Sequence, residues 1–389
     1  MKKGEKMKLL IHDLDDKEWE KVADSYEGYE VISDTGTIKP CVGCFGCWIK
    51  TPGKCLIDDG YGRMGELIHK ADEVVVISRY TYGGLSSFVK NVFDRSIGLV
   101  LPFMFIKDGE MHHKKRYEEE KEISFIFRKS SFTEDEKAHA RQYVEAVCRN
   151  FHGIIKKVEF EQCIESKTVN LFESQSEYGG KTVLINGSLR GDNSNSKKFM
   201  DRLSGKLGDA AVSLNLLSYL NKYEELAQIV SSADKVVFAM PLYVDGIPSQ
   251  VLRLMEILEK SGKDPDKKIY CIANMGFYES HQIKNLLSMV KEWAEKSGFT
   301  YCGGLAIGAG EMVGSMMKMP DPTKGPARNA TLGIDEVARA IESGASICDV
   351  YADAYKFPRF LYMLAANSGW PRGAKANGIK PKELYRRCD

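Results

Sequence analysis

Long apolar runs are missing from these 389 residues. No stretch approaches the roughly 20 apolar residues that cross a bilayer. The opening segment, residues 1–14, has neither the apolar core nor the small-residue cleavage site of a secretory signal. A membrane-spanning or exported protein is therefore not expected, and the expected location is the cytoplasm. Net charge is nearly absent too, at +1 with 55 Lys and Arg against 54 Asp and Glu. Such a chain has no global basic field to draw nucleic acid or anionic membrane, and neither is expected as a partner. Cysteine is plentiful at ten residues, but the reducing cytoplasm argues against a structural disulfide framework.

What is present is the composition of a soluble globular protein, 43% hydrophobic and 28% charged, at a length that suits two or three domains. One unit is written twice. Ala71-Asp-Glu-Val-Val-Val-Ile-Ser78 is matched by Ala233-Asp-Lys-Val-Val-Phe-Ala-Met240. Gly84 falls on Gly246 and Ser87 on Ser249, each 162 positions later. Continuous apolar residues rather than alternation mark a parallel strand covered on both faces, and helical stretches follow at Phe88 to Ile97 and Gln250 to Glu259. Strand, helix and strand then recur in both halves. The first has Ile123 to Phe127, Thr133 to Asn150 and Ile154 to Phe160. The second has Ile269 to Ala273, Ser280 to Ser297 and Gly303 to Ile307.

The expected fold is α/β, two tandem doubly wound parallel sheets with a helical C-terminal tail. The expected domains are 1–165, a linker at 166–180 that includes the polar Glu173 to Gly180, 181–319, and a helical extension at 320–389. In the extension, helices are expected from Ile334 to Ala345 and from Cys348 to Asn367.

Thr182 to Ser196 reads as a short apolar strand, a loop of glycine and hydroxyl residues, and a helix start near Lys197. In a doubly wound sheet this gathers backbone N–H groups and a helix N-terminus at a strand's carboxyl end, which makes an anion site. Gly187 permits close backbone approach. Ser188, Ser194 and Ser196 can donate hydrogen bonds, Asn195 can cap the helix, and Arg190 offers a fork matched to phosphate. The plainer reading is a polar loop with a serine cap.

Gly187-Ser188-Leu-Arg190 with Ser194-Asn195-Ser196, then Pro241 to Gly246, then Asn274 to Phe277, resembles the flavodoxin-like NAD(P)H-dependent FMN reductases, in the correct order over most of the second half. The resemblance implies that Ser188, Arg190, Ser194, Asn195 and Ser196 bind the FMN phosphate. It implies also that Pro241, Leu242, Tyr243, Val244, Asp245 and Gly246 line the flavin ring and that Asn274, Gly276 and Phe277 close over its edge. Tyr243 reads equally as a packing aromatic.

The implied activity is an FMN-dependent oxidoreductase passing electrons from NAD(P)H to a quinone, another small acceptor or a redox protein. The alternative is a non-catalytic electron-transfer or flavin-sensing module. No catalytic acid or base is demanded, because the cofactor carries the chemistry. Family members pair as dimers, which implies an internal pseudo-dimer of the two halves or a homodimer.

The first half departs from this pattern. Its first strand is followed by Asp13, Asp15 and Asp16, which would cap a helix and repel a phosphate dianion, so no second flavin is expected. It carries instead Cys41, Cys44, Cys47 and Cys55, with Gly43, Gly46 and Gly53 for tight turns. Four thiolates so close can wrap a [4Fe–4S] cluster, and the spacing resembles the cysteine motif of iron–sulfur flavoproteins. A glycine-shaped lid with free or zinc-bound cysteines is the other reading. Cys148, Cys163, Cys271, Cys302 and Cys348 read as small buried hydrophobes, and Cys388 has no reading. His112 and His113 read as part of a solvated basic loop, and His281 as an exposed helix histidine.

Overall fold

The computed structural model describes residues 7–164 and 178–388. Most of the linker expected at 166–180 lies outside them. The chain divides into two compact units: Met1–Lys107, His112–Ser166 and Met363–Asp389 form the first, and Asp108–Met111 and Lys167–Tyr362 the second. The 320–389 extension is thus shared, its last 27 residues counting with the first unit.

In the first unit the elements are β1 Lys8–His12, α1 Asp16–Glu20, β2 Tyr29–Ile32, α2 Gly46–Ile49, α3 Met64–Lys70, β3 Glu73–Arg79, α4 Ser87–Asp94, β4 Val100–Lys107, β5 Glu110–Lys115 (its first two residues counting with the second unit), β6 Lys121–Lys129, α5 Glu134–Phe151 and β7 Gly153–Gln162. The main sheet runs β2-β1-β3-β6-β7, all parallel. Strands β4 and β5 form a separate ribbon across Asp108 and Gly109, both left-handed, as a two-residue Asp-Gly hairpin turn requires. This overturns the solvated-loop reading of the histidine pair. His112 is buried with Nδ1 2.7 Å from Asn150 Oδ1, and His113 Nδ1 is 3.1 Å from the Pro102 carbonyl, with burial pushing its pKa down to about 4.

One face of the main sheet is apolar, with Phe125 against Phe93 and Phe93 stacked on Phe151. On the other, Leu10, Val75, Ile77 and Ile126 are covered by Leu14, Trp19, Tyr26 and Tyr29. Alternation puts Arg128, Lys157, Glu159 and Glu161 on that same face, tied by ion pairs. A face so charged at its edge gives a long helix little to bury, and α1 is correspondingly short.

In the second unit the elements are β8 Thr182–Asn186, α6 Asn195–Leu207, β9 Ala211–Asn215, α7 Tyr223–Ser232, β10 Lys235–Pro241, α8 Ser249–Leu258, β11 Lys268–Asn274, α9 Lys284–Lys296, β12 Thr300–Ile307, α10 Gly310–Met316, α11 Arg328–Ser343 and β13 Val350–Ala352. The order β9-β8-β10-β11-β12-β13 repeats the first sheet's and adds an edge strand. Each sheet therefore has the 2-1-3-4-5 order of the flavodoxin-like fold, flanked by helices.

The bounds of β3 and β10 differ by 162 at both ends, and so do the starts of α4 and α8. The bridges Thr81 to Gly84 and Tyr243 to Gly246 keep the same offset. The helix expected from Cys348 to Asn367 is displaced. Residues 350–352 pair with β12 as β13, and helix α12, Arg359–Ala376, begins only after Pro358, because the residue before a proline is turned away from helical geometry. Among the described residues no helix is long and apolar enough to cross a membrane.

Candidate active site

The second unit's site is built on Asn186, the last residue of β8 and fully buried. Its Nδ2 donates to the Gly191 carbonyl at 3.2 Å and to Asn215 Oδ1 at 2.8 Å, and its Oδ1 accepts from Ser188 N at 3.2 Å. This one amide folds the loop back on its own strand. Gly187 N donates to the Ala239 carbonyl at 2.8 Å. A Cβ on Gly187 would lie 2.6 Å from Val251 Cγ2 and 3.2 Å from Met240 Cβ. Gly187→Ala is expected to cost the second unit about 1–3 kcal/mol by overpacking, read by denaturant unfolding through Trp293, which is buried in this unit. An unchanged midpoint would mean that the wall yields.

The helix cap is Ser194, not Asn195. Ser194 Oγ accepts from Lys197 N at 3.1 Å and donates to the Gly191 carbonyl at 2.8 Å. Asn195 is the first helical residue, its Oδ1 accepting from Lys198 Nζ at 2.8 Å, and a Cβ on Gly314 would reach 2.5 Å from that oxygen. The backbone N–H groups of Asn195 and Ser196 open α6 and have no acceptor inside it. Together with the dipole they place hydrogen-bond donors at the carboxyl end of β8, beside β10, where the strand order reverses.

Ser188, Ser194 and Ser196 are all buried around this site, with Ser188 Oγ accepting from Arg190 N at 3.4 Å. Arg190 is partly exposed and pairs with Glu311 of α10 at 3.1 Å. Glu311 thus competes for the fork that a phosphate would use. Glu311→Ala is expected to tighten binding of an anion here by up to about fivefold, the worth of a partly exposed pair, and a titration showing weaker binding would contradict that rivalry.

Pro241 to Gly246 leaves β10 through a tight turn in which Tyr243 and Gly246 exchange hydrogen bonds at 3.2 and 3.0 Å. Its two central residues, Val244 and Asp245, are left-handed at φ 39° and 59°. For a β-branched residue this is strained, and strain of this kind collects at functional sites. The matching turn of the first unit uses Tyr82 and Gly83. Gln250 donates to the Gly187 carbonyl at 2.8 Å, while its Oε1 is buried without a partner.

Asn274 turns toward the loop, donating to Ser196 Oγ at 2.8 Å and to the Met240 carbonyl at 3.1 Å. Gly276 is exposed, and Phe277 and Tyr278 are half-buried. Tyr362 Oη donates to the Gly276 carbonyl at 2.6 Å, and Asp353 accepts from Ser280 N and Oγ at 2.7 Å each, so the segment is tied from its far side. His281 lies exposed on a 3-10 turn, with Nε2 2.7 Å from Glu110 Oε1. Asn186, Gln250 and Glu311 escaped sequence reading; only Asn186, a polar residue closing an apolar strand, left a signal.

At the equivalent place in the first unit a carboxylate sits. Asp13 is buried and accepts from Arg79 N at 3.0 Å through both oxygens. Burial raises its pKa, opposed by Arg79 and by a hydrogen bond from Ser86. Asp15 caps α1 in a capping box with Glu18.

The cysteine loop of this unit is lashed by Arg95, which pairs with Asp59 and donates to the carbonyls of Lys39 at 3.2 Å and Ile57 at 3.0 Å. The four thiols are near enough to act on one another, yet Cys47 is buried, Cys41 and Cys55 half-buried and Cys44 exposed. Burial pushes the Cys41 thiol up to about 12 and raises that of Cys47 well above its ordinary value. Among the described residues no group of three or more His, Cys, Asp or Glu is arranged to hold a metal ion. The reading of Cys41, Cys44, Cys47 and Cys55 as ligands is therefore not carried forward. Of the other cysteines, Cys148, Cys271 and Cys302 are buried, Cys163 is half-buried and Cys348 is exposed.

No family model and no curated protein matches the chain. Solved structures do align with parts of it. An azoreductase from Bacillus anthracis str. Sterne is 17% identical, with 42% of this chain and 99% of that chain covered and a TM-score of 0.31. General stress protein 14 in complex with FMN from Treponema denticola is 12% identical, with 41% and 99% covered and a TM-score of 0.33. An NAD(P)H:quinone oxidoreductase from Methanothermobacter marburgensis is 11% identical, with 41% and 94% covered and a TM-score of 0.29.

Proposed function

We propose that the second unit binds FMN and that the protein is an FMN-dependent oxidoreductase, taking electrons from NAD(P)H and delivering them to a quinone, another small acceptor or a redox protein. The observation that carries this reading is the loop from Gly187 to Ser196. Free first-turn N–H groups, buried serines and Arg190 converge there at the switch point of the sheet. That donor set fits a phosphate monoester. Bound FMN would supply hydride acceptance and its onward release as electrons.

The chain's own residues have the task of holding and orienting it. Ser188, Arg190 and the N–H groups of Asn195 and Ser196 take the phosphate, and Ser194 keeps the helix start in place. The strained turn at Val244 and Asp245 offers backbone groups on the ring side, with Gly276 and Phe277 at its rim. No acid or base is assigned, since neither half-reaction requires one from the protein. A [4Fe–4S] cluster is left out of this reading, since among the described residues no group of three or more His, Cys, Asp or Glu is arranged to hold a metal ion.

We read the two units as a duplication in which only the second keeps a phosphate site, the first having replaced the anion with Asp13. The test is to load the purified chain with FMN and follow NADH and NADPH oxidation with and without a quinone. One FMN per chain and acceptor-dependent turnover are expected. FMN binding with no stimulation by a quinone, other small acceptor or ferredoxin would leave an electron-transfer module instead, and no FMN binding would overturn the site.

A further inference from the structure

Gln250 is the second residue of α8, four positions beyond Gly246 of the strained turn, and it is 2% exposed. Its Nε2 donates to the Gly187 carbonyl at 2.8 Å, and its Oε1 is buried without a hydrogen-bond partner. That carbonyl fixes which way the amide faces. Turned over, it would set two acceptor oxygens against each other at hydrogen-bond distance. The orphan is therefore an acceptor held at the phosphate loop, and a buried acceptor with no donor is costly for a fold to keep.

The duplication shows that folding does not demand it. Strands β1 and β8 pair with β3 and β10 in the same register, Lys8 beside Glu73 and Thr182 beside Lys235, which sets His12 on Asn186 and Asp13 on Gly187. His12 Nδ1 accepts from Leu14 N at 3.2 Å as Asn186 Oδ1 accepts from Ser188 N at 3.2 Å, so both loops start alike. The position 162 before Gln250 is Phe88, buried and apolar. The copy without a phosphate loop makes the same start with no amide at this position. Gln250 goes with the site, not with the fold.

The donor it lacks follows from its surroundings. A phosphate dianion at the N–H groups of Asn195 and Ser196 offers only acceptors, which an amide oxygen repels. Between its phosphate and its ring, FMN carries a ribityl chain whose hydroxyls are neutral donors. Gln250 joins the same two places, since its amide holds the loop through Gly187 and its helix begins where the ring-side turn ends. We propose, resting on the FMN reading of the loop from Gly187 to Ser196, that Gln250 Oε1 accepts a hydrogen bond from a ribityl hydroxyl. Gln250 then selects a ligand that carries a polyol between phosphate and ring.

The experiment titrates the full chain, by flavin fluorescence, with FMN and with an analogue whose ribityl chain is replaced by an unhydroxylated pentyl phosphate. Gln250→Met keeps the volume and removes the acceptor, and denaturant unfolding through Trp293 reports that the variant is folded. The variant is expected to weaken FMN by about three- to tenfold more than it weakens the analogue, the worth of one neutral hydrogen bond. Equal weakening of both ligands would show that Gln250 acts only through Gly187 and would overturn the proposal, as would FMN affinity equal to the parent's. A crystal structure of the parent chain with FMN needs no variant. Oε1 at hydrogen-bond distance from a ribityl hydroxyl is expected, and Oε1 facing only protein or water would overturn the proposal while leaving the FMN reading in place. A parent chain that takes up no FMN would overturn that reading and this one with it.

Discussion

Arg95→Ala is expected to destabilise the first unit by about 3–5 kcal/mol, the cost of breaking a buried ion pair by removing one partner. Both side chains of the Arg95–Asp59 pair are almost wholly buried. The substitution leaves Asp59 without its cation and the carbonyls of Lys39 and Ile57 without a donor. Trp19 and Trp48, both in this unit, report its unfolding. The companion Asp59→Ala should cost a similar amount. The double replacement Arg95→Met with Asp59→Leu should recover most of it, because two apolar groups leave no buried charge behind.

The pH dependence follows in sign. Burial alone would raise the Asp59 pKa, but Arg95 and the N–H groups of Lys39 and Tyr61 bring it below its ordinary value. A carboxyl depressed in the folded state stabilises above about pH 4 and loses that contribution as pH falls through the folded pKa. The gap between parent and Arg95→Ala should therefore narrow in acid. A loss under about 1 kcal/mol at neutral pH would show that the loop, not the guanidinium, sets its own shape.

That loop also marks where sequence reading stops. The repeated strand was legible because both copies are continuous apolar runs ending in the same glycine spacing, and β3 and β10 keep that offset of 162. A helix start was legible where a hydroxyl precedes the apolar period at Thr133, whereas for α6 the sequence points to a cap one residue late, on Asn195 instead of Ser194. What escaped is chemistry set by chain segments far apart in sequence. Glu110-Met-His-His-Lys-Lys-Arg-Tyr117 reads as a solvated basic loop, since neither histidine announces its partner, Asn150 or Pro102. Strand β13 is three residues long and takes its state from the edge of β12 rather than from its own pattern. Glu311 sits 121 positions from the Arg190 it pairs with, a distance at which no local period carries information.

The Ser188→Ala, Arg190→Ala double variant is expected to weaken FMN binding by about 30–100-fold, read by quenching of flavin fluorescence on titration. A hydrogen bond to a charged group contributes about 1.5–3 kcal/mol. Arg190 is 36% exposed in its side chain and already shared with Glu311, which brings its own part down to about tenfold. Ser188 is 2% exposed, so its hydroxyl works with less competition from water and should account for most of the remainder. Because Ser188 Oγ accepts from Arg190 N, the two losses are coupled and the double variant should fall short of their product. The asymmetry between units supplies the control. Asp13 already fills the first unit's corresponding corner, bonded to Arg79 N, so the stoichiometry should fall from one toward zero without a second, weaker flavin appearing. FMN retained at parental affinity would move the phosphate away from this loop and leave Ser188 and Arg190 as parts of an ordinary capped turn.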